Sequence, residues 1–183
     1  MKKIEVYNFK VDSTKTFEEM VSAGNYDWKN VDVESGNFPL PEDFKTTELV
    51  GKFFDFGVDN RDPVKNVEEK IKVDGFRPAT STELLAFGAT HPEVQKTFPI
   101  IALGTRHTAY YENATCLCLY PCSTKRVPGQ RGLGVHYYAF GGREKNLHAL
   151  GVKEVGVNSD LHQSPKKFPF LNLVIGLFRK KSK

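Results

Sequence analysis

The sequence predicts an α+β domain, and three observations lead there. Apolar residues alternate with polar ones at Ile4 and Val6, and cluster again at Phe53–Phe56, as in strands with one buried face. Two short segments each open on a capping residue and stop at a glycine, as helices do. The second half is strand-patterned, with Gly- and Lys-rich connections between the apolar runs. The chain has 183 residues, 39% hydrophobic and 26% charged, enough for a core that needs neither disulfides nor metals.

The first two units echo each other. Tyr7-Asn8-Phe9-Lys10-Val11-Asp12 and Phe54-Asp55-Phe56-Gly57-Val58-Asp59 both read aromatic-x-Phe-x-Val-Asp. Each leads through a polar turn into a helix, Phe17 to Val21 and Val67 to Ile71, then to a glycine and an aromatic. Ser13, Thr14 and Thr16 are candidate N-caps for the first helix, and Asp62-Pro63 supplies a cap and an N1 proline for the second. Gly24 and Gly75 fit left-handed positions just past the helix ends. Val31 to Glu48 reads as a linker with an exposed apolar patch, Phe38-Pro39-Leu40. A break near Phe44 gives a strand–helix unit and linker over 1–43 and a main domain over 44–183.

Beyond Gly75, Pro78 biases Arg77 toward extended backbone. Thr80-Ser81-Thr82-Glu83 is a capping box if Thr80 is the N-cap, with Leu84, Leu85 and Phe87 on the buried face. Pro92 to Lys96 reads as a second short helix, and Phe98 to Gly104 as a central strand. Thr115 to Tyr120, Leu133 to Phe140 and Phe168 to Phe178 are further strands. The last would reach only about 16 Å as a helix, too short to cross a bilayer. Cys122 to Gln130 and Gly141 to Lys167 read as loops.

Several constellations invite chemistry. Cys116 and Cys118 share a strand face, and with Cys122 and either His107 or His136 could complete a tetrahedral metal site. The spacing is not CxxC and no second pair exists, so buried structural thiols are the preferred reading. A cysteine nucleophile would need His136 or His148 as base. Gly129, Gly132 and Gly134 lack the order that cradles phosphate and read as turns. Glu18-Glu19 and Glu68-Glu69 read as solvated helix flanks. Arg126, Arg131, Arg143, Tyr137 and Tyr138 form a basic and aromatic mixture able to stack on rings and pair with anions. The basic end, Arg179 to Lys183, can touch phosphate but reads first as a solvated terminus. The opening residues lack a continuous apolar h-region, which gives the expectation of an intracellular, cytoplasmic chain.

The run from Gly75 to Gly104, G-F-R-P-A-T-x-x-E-L-L-A-F-G followed by P-E-x-Q-K-x-F-P-I-I-A-L-G, resembles a group of uncharacterised bacterial proteins of the candidate phyla. Their core reads GYRPATLxELLALG…PELQ…FPIVALGS. The likeness takes in Thr16 to Met20 and Tyr26-Asp27-Trp28, and extends as far as Gly104. It implies no activity. Phe76 to Thr80 with Glu83-Leu84-Leu85 is also similar to the R-L-P-T-x-x-E-W-E segment of formylglycine-generating-enzyme-like and C-type-lectin-like domains. That resemblance implies a C-type-lectin-like arrangement of strand, two helices, long loops and a closing antiparallel sheet, preceded here by a strand–helix unit. The tryptophan of that segment is Leu84 here, the calcium-dependent sugar motifs are absent, and the catalytic cysteine pair has no match. The resemblance therefore implies a scaffold without its catalysis or calcium.

The resulting expectation is a non-enzymatic ligand- or protein-binding module. Its lectin-like scaffold displays loops that vary within the resembling group, and no cofactor is implied. The binding surface is expected between Arg106 and His162, on Arg126, Arg131, Tyr137, Tyr138 and Arg143. One alternative is a metal-dependent or cysteine-based enzyme using Cys116, Cys118, Cys122 and His136. A second is nucleic-acid binding through the basic C-terminal half. No membrane partner is expected.

Overall fold

The computed structural model describes residues 5–56, 62–108, 114–124, 127–137 and 146–156. They form an α+β fold around one mixed sheet. The elements run β1 (Tyr7–Val11), α1 (Phe17–Ala23), β2 (Trp28–Lys29), β3 (Thr47–Asp55), α2 (Pro63–Val73), β4 (Arg77–Pro78), α3 (Ser81–Thr90), α4 (Pro92–Gln95), β5 (Ile100–Ile101), β6 (His107–Thr108), β7 (Ala114–Thr124), β8 (Val127–Tyr137) and β9 (His148–Glu154). The sheet order is β1-β3-β9-β5-β7-β8-β2. Pairing is parallel between β2 and β8 and between β5 and β9, and antiparallel elsewhere. β9 carries β3 along one side; β4 and β5 share its other side end to end.

Alternation along the strands divides the core into two layers. Leu117, Leu119, Leu150 and Val152 pack with Phe17 and Met20 of α1 and Leu84, Leu85 and Phe87 of α3. Their neighbours Cys116, Cys118 and Ala149 pack with Phe54 and with Val67 and Ile71 of α2 on the opposite face. The strand and helix of each echoed unit are present, residues 57–61 of the second lying outside the described residues, and each unit turns its aromatic pair toward its own helix. Phe9 faces the α1 layer, and Phe54 and Phe56 face the α2 layer.

The expected caps form. Thr16 accepts from Glu19 N in a complete capping box, and Thr80 does the same with Glu83. Asp62 accepts from Lys65 N ahead of Pro63. Gly75 takes φ +78°, the left-handed stop its position predicts. Arg77, His91 and Thr105 each make a structural hydrogen bond. Arg77 donates to both carboxylate oxygens of Glu83 at 2.9 and 2.6 Å, His91 Nε2 donates to Asn8 O at 2.9 Å, and Thr105 Oγ1 accepts from Ser81 N at 3.1 Å.

Several expectations are corrected. Gly24 is right-handed at φ −69°; its missing Cβ makes room for the Tyr26 ring, which would lie 2.2 Å from one. Val6 is exposed, because the buried phase of β1 falls on Phe9 and Val11. Of the patch expected to be exposed, Pro39 and Leu40 are exposed, but Phe38 is 0% accessible and stacks on Phe17, drawn in by the turn in which Phe38 N donates to Glu34 O. On the two sides of Phe44, Phe9, Phe17, Val33 and Phe38 share one cluster with Leu49 and Phe87. The central strand expected over Phe98 to Gly104 is only Ile100–Ile101. Within the loop expected over Cys122 to Gln130, residues 122–124 and 127–130 belong to strands β7 and β8, with Thr124 opposite Val127. The loop expected from Gly141 to Lys167 contains β9, a strand deep in the sheet. The strand expected over Phe168 to Phe178 lies outside the described residues. Among the described residues no helix is long and apolar enough to cross a membrane.

Candidate binding surface

The β7–β8 hairpin carries most of the residues nominated from sequence. Of these, Arg126, Tyr138 and Arg143 lie outside the described residues. Tyr137 closes β8 opposite Thr115 and is partly buried. Arg131 lies on the same strand and face as Tyr137, roughly 20 Å away along an extended backbone. The two are not brought together.

Arg131 is 7% exposed, and its guanidinium is committed inward. Nη1 donates to Gly24 O at 2.7 Å, Nη2 to Gly88 O at 2.7 Å, and Nε to Gln95 Oε1 at 3.2 Å. Gly24 caps α1 and Gly88 lies in the last turn of α3, so both carbonyls lack an intrahelical donor and sit at the negative ends of helix dipoles. Two helix C-termini thus stabilise this buried charge, and among the described residues no carboxylate pairs with its guanidinium. The ring of Tyr26 lies beneath it, with the guanidinium carbon 5.1 Å from the centroid. Burial pushes the Tyr26 phenol well above its ordinary pKa, and its Oη finds no hydrogen-bond partner among the described residues. Gln95, fully buried, donates onward to Tyr120 O at 3.0 Å and Gly132 O at 2.7 Å, tying α4 to the hairpin.

This network fixes the strand that carries the exposed feature. Asp27 N donates to Arg131 O and Asn30 N to Leu133 O, while Arg131 N donates to Asp27 Oδ2 at 2.7 Å. These bonds hold β2 along the outer edge of β8. Trp28, half exposed, lies beside Gly134, where a Cβ would stand 3.2 Å from the indole and 3.1 Å from the Tyr120 ring. Gly132 and Gly134, read from sequence as turn residues, are therefore strand residues, and Gly134 gives the two rings their space. Sequence reasoning passed over Trp28, although it is the only tryptophan in the chain.

The metal alternative is partly assembled by the topology. Cys116 stands opposite His136 across the hairpin, and Cys118 is two residues along on the same face. Both thiols are buried, the Cys118 thiol donates to Leu119 O at 3.6 Å, and His136 Nδ1 lies 3.3 Å from Tyr120 Oη. The Cys122 side chain lies outside the described residues. Among the described residues no group of three Cys, His, Asp or Glu side chains is arranged to hold a metal ion. His148 Nδ1 donates to Asn146 O at 2.7 Å and its ring packs on Phe98. The paired glutamates serve structure: Glu19 closes a capping box, and Glu68 pairs with Arg106.

No protein-family model, no curated protein and no solved structure matches this chain.

Proposed function

We propose that the chain is a non-enzymatic binding module, with a cytoplasmic setting and a C-type-lectin-like use of its frame in which helices and sheet support a displayed edge. The observation that carries this reading is the Trp28 indole, half exposed yet held in place against Gly134 and beside Tyr120. A rigid aromatic surface of this kind contributes contact area with little loss of side-chain entropy, which is why Trp and Tyr dominate binding hot spots. Its partner is a ligand or protein surface with a flat apolar face, such as a sugar ring, a base or an aromatic side chain. The nominated residues Arg126, Tyr138 and Arg143 lie outside the described residues, and Tyr137 points to the opposite face of β8 from Gly134.

Because Trp28 is the only tryptophan, its emission reports directly on this surface. Titration with oligosaccharides, nucleosides and aromatic peptides is expected to move that emission saturably for one class, and Trp28→Ala is expected to weaken binding of that class at least tenfold by calorimetry. Silence across all three classes overturns the reading. One equivalent of zinc in the purified protein favours the Cys116, Cys118 and His136 alternative instead. A salt-sensitive shift with single-stranded nucleic acid favours the basic half as the binding element.

A further inference from the structure

A cleft of about 320 Å3 opens on the side of the sheet away from Trp28, where β1, β3, β4 and β9 meet the start of α3. That volume is in the range of small-molecule sites. Pro41 and Phe44 give it an apolar wall, while the lining residues Val11 and Thr82 are almost fully buried. The charges are the informative part. Arg77 and Glu83 neutralise each other through their two parallel hydrogen bonds, which hold the guanidinium flat at the cleft wall. The α3 N-terminus offers little to an anion, because Thr80 N, Ser81 N and Glu83 N already donate to side chains.

Lys45 and Glu154 differ from that satisfied pair. Their Nζ and Oε1 stand 3.8 Å apart, beyond hydrogen-bond range, with the side chains 70% and 40% exposed. A cation and an anion therefore flank the same opening, near enough to feel each other and each with hydrogen-bonding capacity to spare. Asp43 adds a second carboxylate to the lining. A ligand that carries both charges a few bonds apart can satisfy Lys45 and Glu154 at once, where a simple anion or cation would satisfy one and repel the other.

We propose that this cleft binds a free α-amino acid with an apolar side chain. The carboxylate pairs with Lys45, the ammonium group with Glu154, and the side chain lies on Pro41 and Phe44. The inference is independent of the Trp28 surface, which lies at the opposite edge of the sheet.

The test is amide chemical-shift titration of the full chain with L-leucine, L-leucinamide and N-acetyl-L-leucine. L-Leucine is expected to shift Val11, Phe44 and Thr82 saturably while leaving Trp28 emission unchanged, and each blocked form is expected to bind about tenfold more weakly. Lys45→Met weakens L-leucine about tenfold but not L-leucinamide, which has no carboxylate; Glu154→Gln weakens L-leucine but not N-acetyl-L-leucine, which has no ammonium group. Both side chains are exposed, so the variants keep the fold, and matching spectra of the unliganded proteins verify it. Absence of saturable shifts with L-leucine overturns the proposal. So does binding of the blocked forms as tight as that of L-leucine, or binding indifferent to both substitutions.

Discussion

Helix α3 is held at each end by an arginine, and the two work differently. At the C-terminal end Arg131 bonds Gly88 O directly. At the N-terminal end Arg77 touches Glu83, which in turn accepts from Thr80 N at 2.7 Å. The helix dipole explains the difference: a cation is welcome at the carbonyl end, whereas at the amide end a carboxylate must stand between. Surroundings separate them further. Arg131 is buried and its acceptors have no water to fall back on, while Arg77 is half exposed. Hydrogen bonding to Glu83 is the main cause that raises the pKa of Arg77 above its ordinary value, so this guanidinium stays charged throughout the working pH range.

The comparison breaks most sharply at the buried end. Arg131→Met leaves Gly24 O, Gly88 O and Gln95 Oε1 without their donor, and is expected to cost at least about 3 kcal/mol in a urea melt. Arg131→Lys keeps the charge but not the fork that spans three acceptors, and should recover less than half of the loss. Next comes Gly88→Ala, whose Cβ would stand 2.5 Å from Tyr26 Oη. A loss of about 1–3 kcal/mol is expected. Tyr26→Phe removes an unpartnered hydroxyl and should be close to neutral alone, yet relieve part of the Gly88→Ala penalty in the double variant. At the half-exposed end, Glu83→Gln should cost about 1–2 kcal/mol, softened by water around Arg77. Smallest is Glu19→Gln in the exposed capping box of α1, expected to fall within the error of a thermal melt. If Glu83→Gln proves costlier than Arg131→Met, exposure is not what separates the two ends.

The elements that sequence exposes are those specified by local chemistry. Thr80 with Glu83, Asp62 with Pro63, and Gly75 each announce a helix boundary through residues a few positions apart. What escapes is specified from a distance. Arg131 reads as a loop residue among glycines, because two of its three acceptors are main-chain carbonyls far back in the sequence, and no side-chain pattern advertises a carbonyl. Strand β9 hides for a related reason. It is buried on both faces, so it shows no alternation, and its Gly151 looks like a turn residue although it is glycine because the Phe54 ring comes within 2.6 Å of where a Cβ would be. Phe38 sits in a segment with the composition of a linker, and only the stacked Phe17 ring reveals that it is core. Of the candidate surface, the hairpin neighbourhood was legible and its leading residue was not. Trp28 acquires meaning from Gly134, which is distant in sequence and adjacent in the sheet.

The position of β9 has a consequence for the order in which the molecule is made. Strands β3, β4 and β5 are all synthesised before it, yet all three bond to it. A ribosome that has delivered residues 1–146 has released two helical layers and a hairpin whose sheet lacks a central member. Over that interval β3 and β5 present open edges, the kind of surface on which nascent chains pair with one another. Among the described residues, joining the sheet waits for seven residues, His148–Glu154, that slot between strands already made. Their arrival covers the edges that β3 and β5 expose until then.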